Sequence, residues 1–307
     1  MPLPHLDAER PFLADGGLET TLIFHRGIDL PLFAAFDLLK DDGGRRELRD
    51  YFGPYVALAR ERAVGLFLDT ATWRASPDWG HQLGYAPEQL DAANRQAVAH
   101  ARAMAAAHPD TPTVVNGVIG PRGDGYDPAV LMSPAEAEGY HARQVTTLAD
   151  SGVDMVTALT MTHAEEAIGI VRAAGAAGVP VAVSFTVETD GRLPSEQGLA
   201  DAIEQVDAET GGAAAYFMVN CAHPTHFAHL FAQEEPWHAR VRGLRANASA
   251  KSHAELDEAE ELDEGDPADL GERHRALRPK LPHLAVIGGC CGTDHRHVAA
   301  VCDAWAG

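Results

Sequence analysis

Residues 154–188 read DMVTALTMTHAEEAIGIVRAAGAAGVPVAVSFTVE. The run Asp154 to Met161 is apolar and rich in β-branched residues, as a buried strand requires. Ala-rich sequence with helical spacing follows from His163 to Ala174, and a second apolar run begins at Pro180 and extends to Glu188. Strand, helix, strand in this order is the βαβ unit of a parallel sheet. The same alternation continues in both directions. Further strands are expected at Pro11 to Ala14, Leu66 to Trp73, Thr113 to Gly120, Tyr216 to Cys221, Val241 to Asn247 and Ala285 to Gly289. Helices are expected at Pro87 to Ala107, Pro134 to Ser151, Gln197 to Glu209 and Asp294 to Trp305, with Pro or Asp near their starts and Gly near their ends. Eight such units predict a (β/α)8 barrel, an α/β TIM barrel, forming one domain over residues 1–307. An open dinucleotide-binding sheet would place G-x-G-x-x-G after its first strand; Asp15-Gly16-Gly17 lacks that spacing.

Bulk properties narrow the partners. With a formal charge of -21, the chain repels phosphate backbones and anionic lipid surfaces, so neither nucleic acid nor membrane is an expected partner. No stretch reaches the length of a membrane span, and the first ten residues, broken by prolines and charges, lack the apolar run of a secretory signal. A cytoplasmic protein acting on small molecules is expected, with a homo-oligomer compatible with the sequence. The segment Ala254 to Glu272 is dense in Asp and Glu. It reads as a solvated helix or loop, or alternatively as a lid, because it is long for a βα connection.

Barrel enzymes carry their chemistry where the strands end. There the sequence places Gly288-Gly289-Cys290-Cys291-Gly292-Thr293 at the end of the eighth strand and Cys221 at the end of the sixth. Neighbouring residues on a strand point to opposite faces, so Cys290 and Cys291 can share one ion only where the strand breaks down, and Gly289 and Gly292 permit that break. Three thiolates suit zinc and leave a fourth tetrahedral position for substrate. A redox switch made by the adjacent pair Cys290 and Cys291 is the alternative. Cys302, inside the last helix, reads as a small core residue, and His223, His226, His295 and His297 are left outside the metal sphere.

These residues resemble the homocysteine S-methyltransferase family, which includes the betaine and S-methylmethionine enzymes and the homocysteine domain of methionine synthase. The resemblance runs in order through Asp15-Gly16-Gly17, Gly120-Pro121, Ser184-Phe185-Thr186, Val219-Asn220-Cys221 and the Gly288 to Thr293 motif. It implies a (β/α)8 barrel in which zinc, held by Cys221, Cys290 and Cys291, receives the thiol of homocysteine. It further implies that Asp15 binds the amino-acid end of that substrate. The methyl donor implied is a sulfonium, S-methylmethionine or S-adenosylmethionine, with betaine as the alternative, and the product is methionine.

Two segments depart from the family: the second strand reads Asp69-Thr70-Ala71-Thr72-Trp73-Arg74-Ala75-Ser76 where relatives often have an Asn-Thr pair, and the end of the fourth strand differs with more consequence. A Glu-Thr pair usually ends the fourth strand, its glutamate binding the substrate ammonium, whereas this chain has Leu159-Thr160. Leucine cannot accept that hydrogen bond. Either another acid, such as Glu188 or Glu165, takes its place, or the acceptor is a different thiol or selenol. In the loop after the second strand, Trp73 is a candidate to stack on a cationic methyl donor.

Overall fold

The computed structural model describes residues 3–126, 131–259 and 261–306. Eight parallel strands close into a barrel in sequence order. They are β1 (Phe12–Leu13), β2 (Leu66–Asp69), β3 (Thr113–Ile119), β4 (Met155–Met161), β5 (Val181–Phe185), β6 (Tyr216–Asn220), β7 (Val241–Ala246) and β8 (Val286–Gly289), and β8 pairs with β1 to complete the ring. The expected (β/α)8 barrel is the fold found.

Among the described residues, seven long helices lie around it: α1 (Asp42–Glu61), α2 (Pro87–Ala106), α3 (Pro134–Asp150), α4 (Ala164–Ala177), α5 (Leu199–Thr210), α6 (Pro267–Leu277) and α7 (His295–Ala306). Their starts follow local chemistry. Ser133 and Glu136 form a reciprocal cap on α3, and Asp41 accepts a hydrogen bond from Gly44 N at 2.8 Å to start α1. One helix escapes the sequence reading and another is only partly anticipated. In α1, Gly43, Gly44, Gly53 and Pro54 mask a helix whose buried face is Leu48, Tyr51, Phe52 and Tyr55; α6 is hidden in the acidic segment.

Several strands stop short of their expected ends. β2 ends at Asp69 rather than Trp73, and β5 at Phe185 rather than Glu188. Beyond these points the backbone leaves the ladder: Thr72 N bonds Thr70 O at 2.8 Å in a tight turn, and the freed segments build the rim.

Register then positions the site. Asn220 on β6 is opposite Arg245 on β7, which is opposite Gly288 on β8. The ends of β6 and β8 are therefore level, separated by β7, about 10 Å apart across two inter-strand steps.

Candidate metal and substrate site

Cys221 follows β6 directly and sits at φ +55°, in the left-handed region that a residue with a Cβ normally avoids. Its backbone is held there from three sides. The N–H donates to Arg245 O at 3.1 Å, while the carbonyl accepts from Asn247 Nδ2 at 3.0 Å and from His253 Nε2 at 2.8 Å. Across the rim, Cys290 N donates to Ala246 O at 2.9 Å, and Gly292 at φ +76° turns the chain away. Gly289 has no such angle. Its requirement is space, since a Cβ there would lie 2.0 Å from Thr293 Oγ1.

The three sulfurs gather as the sequence predicts. Cys221 Sγ lies 2.8 Å from Cys290 Sγ and 3.5 Å from Cys291 Sγ, and all three fall within 4.8 Å of one another. All are free thiols, and no other metal-capable group of His, Cys, Asp and Glu occurs among the described residues. Hydrogen bonds from Cys221 and Cys291, followed by the charge of Arg245, hold the Cys290 thiol well below its ordinary range; bonding to Cys290 pushes Cys221 well above it. Three sulfurs so close could hold a metal ion.

The histidines have other work. His223 bonds Thr225, His226 bonds Ala250 O, and His297 bonds Asp294 and Glu264 O. Cys302 is buried in α7, as expected.

Sequence reading missed Tyr126. From the loop after β3, its hydroxyl sits 3.1 Å from Cys221 Sγ and 3.4 Å from Cys291 Sγ, and its ring stacks on His253 at 4.1 Å between centroids. His253 in turn bridges the Cys221 carbonyl and Glu188 Oε1, the latter 2.9 Å from Nδ1. A loop without secondary structure carries no periodic signal, and one tyrosine in it has nothing to distinguish it.

Asp15 is also at the site, immediately after β1. Its two oxygens are engaged by Arg245 Nη2 and, at 2.9 Å, by Tyr51 Oη from α1. Arg245 extends to Asp69, whose other oxygen accepts from Asn116 Nδ2 at 2.7 Å, and Asn116 accepts from Thr157 at 2.8 Å. Burial raises the Asp15 carboxyl to about 7 against the opposing pull of Arg245. The Asp15-Gly16-Gly17 turn must pack against the cysteine loop. A Cβ on Gly17 would meet Cys290 O at 2.7 Å, so the two glycine-bearing motifs require each other.

A cavity of about 630 Å³ opens over the sulfurs. Asp15, Glu19, Trp73, Arg74, Leu159 and Tyr126 line it. Trp73 lines the cavity with a cation of its own chain already against its ring: the Arg74 guanidinium lies 4.4 Å from its ring centre and 3.6 Å from that of Trp79. The acidic segment proves to be more than a solvated loop, for Leu256, Leu262 and Asp263 form part of the cavity wall, and Asp263 is anchored by Ser249 Oγ at 2.7 Å. Glu260 of that segment lies outside the described residues. No helix among the described residues is long and apolar enough to cross a membrane.

A sequence profile of the family described as "Homocysteine S-methyltransferase" matches residues 12–305. The chain belongs to the homocysteine S-methyltransferase family. It is accordingly a methyltransferase. No curated protein matches. Among solved structures, the barrel is similar to that of the homocysteine methyltransferase MmuM from Escherichia coli in its metallated form, at 21% identity and a TM-score of 0.72, with 97% of each chain covered. The oxidized form of the same enzyme is similar at 22% identity and 0.72 over 96% of each chain, and the apo form at 21% and 0.66 over 97% of each. At this identity the likeness speaks for the fold.

Proposed function

We propose that Cys221, Cys290 and Cys291 hold a zinc ion and that the enzyme moves a methyl group from a sulfonium donor, S-methylmethionine or S-adenosylmethionine, to the thiol of homocysteine, giving methionine. The observation that carries this reading is the gathering of three sulfurs within 4.8 Å at the floor of the rim cavity. Two thiolates about 4 Å apart repel by about 4 kcal/mol at a dielectric typical of protein sites, so three deprotonated cysteines need a cation between them. Sulfur ligands select zinc, and three of them leave one position for substrate. Bound there, zinc would deprotonate an incoming thiol, whose free pKa is ~8.5, while the three protein thiolates leave that sulfur electron-rich.

The chain's own residues do the rest. Holding sulfur and methyl carbon in line is worth about 7 to 11 kcal/mol, more than the roughly 2 kcal/mol gained by full ionisation at neutral pH. The Tyr126 hydroxyl stands against two of the sulfurs, 3.1 Å from Cys221 Sγ and 3.4 Å from Cys291 Sγ. Reaction of a thiolate with a sulfonium cancels charge, and a cavity shielded from water favours that change. No proton leaves the reacting carbon, so no general base is assigned. Asp15 is proposed to bind the amino-acid end of the acceptor, each of its oxygens keeping room for a second hydrogen bond.

Metal analysis of the purified protein should give about one zinc per chain, and homocysteine methylation should be supported by a sulfonium in preference to betaine. Zinc-free protein with full methyl transfer would end this reading. A second reading, the same chemistry on another thiol or a selenol, is favoured by Leu159 alone; a panel of acceptors separates the two.

A further inference from the structure

An amino-acid acceptor brings an ammonium and a carboxylate into a cavity whose usual ammonium partner is absent. The carboxylates named from the sequence as substitutes are committed elsewhere. Glu188 is bonded to His253, Glu165 accepts from Gln205 Nε2 at 3.2 Å, and neither lines the cavity. Asp15 lines it and is proposed above to contact the amino-acid end, but Arg245 already offsets its charge, so a full counter-charge for the ammonium must come from a second group. Leu159 leaves an apolar wall.

Setting aside Asp257 and Glu261, which are exposed, two groups on the cavity wall have capacity left for a ligand: Glu19, and Arg74 in spite of its ion pair with Asp124. Glu19, one turn beyond Asp15, lines the cavity with no hydrogen bond or ion pair to another described residue. Its carboxyl is pushed up to about 7, chiefly by burial, with the charges of Cys290 and Asp15 raising it and that of Arg74 lowering it. Glu19, Arg74 and the three cysteines line one and the same cavity. A carboxylate desolvated without a cation is a costly arrangement that a bound ammonium relieves. Arg74 is only 8% exposed, and its Nε is buried with no hydrogen-bond partner. Its terminal nitrogens make long contacts, 3.4 Å to Gly123 O and 3.3 Å to Asp124 Oδ2. The Trp73 and Trp79 rings hold its plane on the cavity wall.

We propose that Glu19 and Arg74 form a clamp for the two charged ends of an amino-acid acceptor, Glu19 taking the ammonium and Arg74 the carboxylate, so that the side-chain sulfur reaches the cysteines. This rests on the methyl-transfer reading above and names the substrate class of that site: an α-amino acid with a thiol at the end of a short chain. In this clamp the acid comes from the turn after the first strand, where Glu19 lies, and not from the end of the fourth, where Leu159 stands.

The first test is of binding and needs no turnover. Methionine, 4-(methylthio)butyrate, which lacks the ammonium, and 3-(methylthio)propylamine, which lacks the carboxylate, are titrated calorimetrically into metal-free and zinc-loaded protein. Wild type is expected to bind methionine at least tenfold more tightly than either analogue. Glu19→Gln, a nearly isosteric change, should weaken methionine by about tenfold to a hundredfold, the range for a charged hydrogen bond, and leave 4-(methylthio)butyrate within about twofold. Glu19→Asp should recover part of the loss. Equal methionine affinity in wild type and Glu19→Gln overturns the clamp, as does a wild type indifferent to the ammonium. Methylation of 4-mercaptobutyrate as fast as homocysteine would likewise remove the clamp while leaving methyl transfer standing. Conversely, intact discrimination by Glu19 in a protein that binds no zinc would keep the clamp and remove the metal reading.

Discussion

The floor and the mouth of this barrel are built on the same eight strands and are chemically opposite. At the floor, Phe12, Phe67, Val114, Met155, Tyr216 and Val286 pack into an apolar plug, with His5 lying edge-on to Phe67 and Tyr216. Two residues further along, the positions facing inward become Asp69, Asn116, Thr157 and, on β7, Arg245, joined by hydrogen bonds. A step of two residues is about 6.6 Å. Within that distance the interior passes from hydrocarbon to a charged network, and the cysteines stand at the end of it. Burial stabilises the floor directly, whereas the mouth is stable only as long as its charges remain paired.

The largest expected effect concerns the mouth's chemistry. Cys221→Ala removes one of three sulfurs; zinc content should fall to near zero by metal analysis, and the methyl-transfer rate by about a thousandfold or more, while the circular dichroism spectrum stays that of the wild type. Next is Arg245→Met, which leaves Asp15 and Asp69 buried without their shared cation. Urea unfolding should show a loss of about 3 to 5 kcal/mol, the cost of breaking a buried pair from one side. A loss below about 1 kcal/mol would mean that water reaches these carboxylates and that the contrast between the two ends is overstated.

The floor predicts smaller effects. Burial, followed by the charge of Arg242, lowers the His5 pKa from 6.5 to about 4. The folded state thus keeps this ring neutral where the unfolded chain would protonate it. The resulting stability is fully present above pH 6.5 and is lost as the pH falls toward 4, on the order of 1–2 kcal/mol by pH 5. His5→Phe should flatten that part of the stability profile, measured as urea midpoints between pH 7 and 5. Smallest is Tyr216→Phe, which deletes the 3.0 Å contact with His5 Nε2. About 1 kcal/mol of stability should disappear, with kcat for methyl transfer unchanged.

Much of the barrel was legible because each strand and its helix carry their own local period. Where the reading failed, local signals opposed the tertiary result. Gly43, Gly44 and Pro54 conceal a helix of twenty residues, yet Leu48, Tyr51, Phe52 and Tyr55 bury enough surface against the barrel to hold it. That omission hid Tyr51, the partner of Asp15. The cysteines were legible because their residue type and their place at strand ends are rare together. Tyr126, Arg245 and Glu19 were not, since a single Tyr, Arg or Glu in a sequence has many ordinary explanations. Gly289 was noticed for the wrong reason: it is required for its lack of a side chain beside Thr293, and its backbone angles are ordinary.

Periodicity and composition alone determined the βα order, the closed parallel barrel, the rim as the place of chemistry and the three sulfurs as its centre, because each depends on neighbours in the chain or on one topological rule. Tertiary structure decided what surrounds those sulfurs: which carboxylates are already paired, which remain open, and that Trp73 holds an arginine of its own chain. Those outcomes depend on distances between residues that are far apart in sequence, set by strand register and by the turns at the ends of β1, β6 and β8. A charge can be counted from the residues, but whether it is free to meet a ligand depends on what the fold has placed beside it.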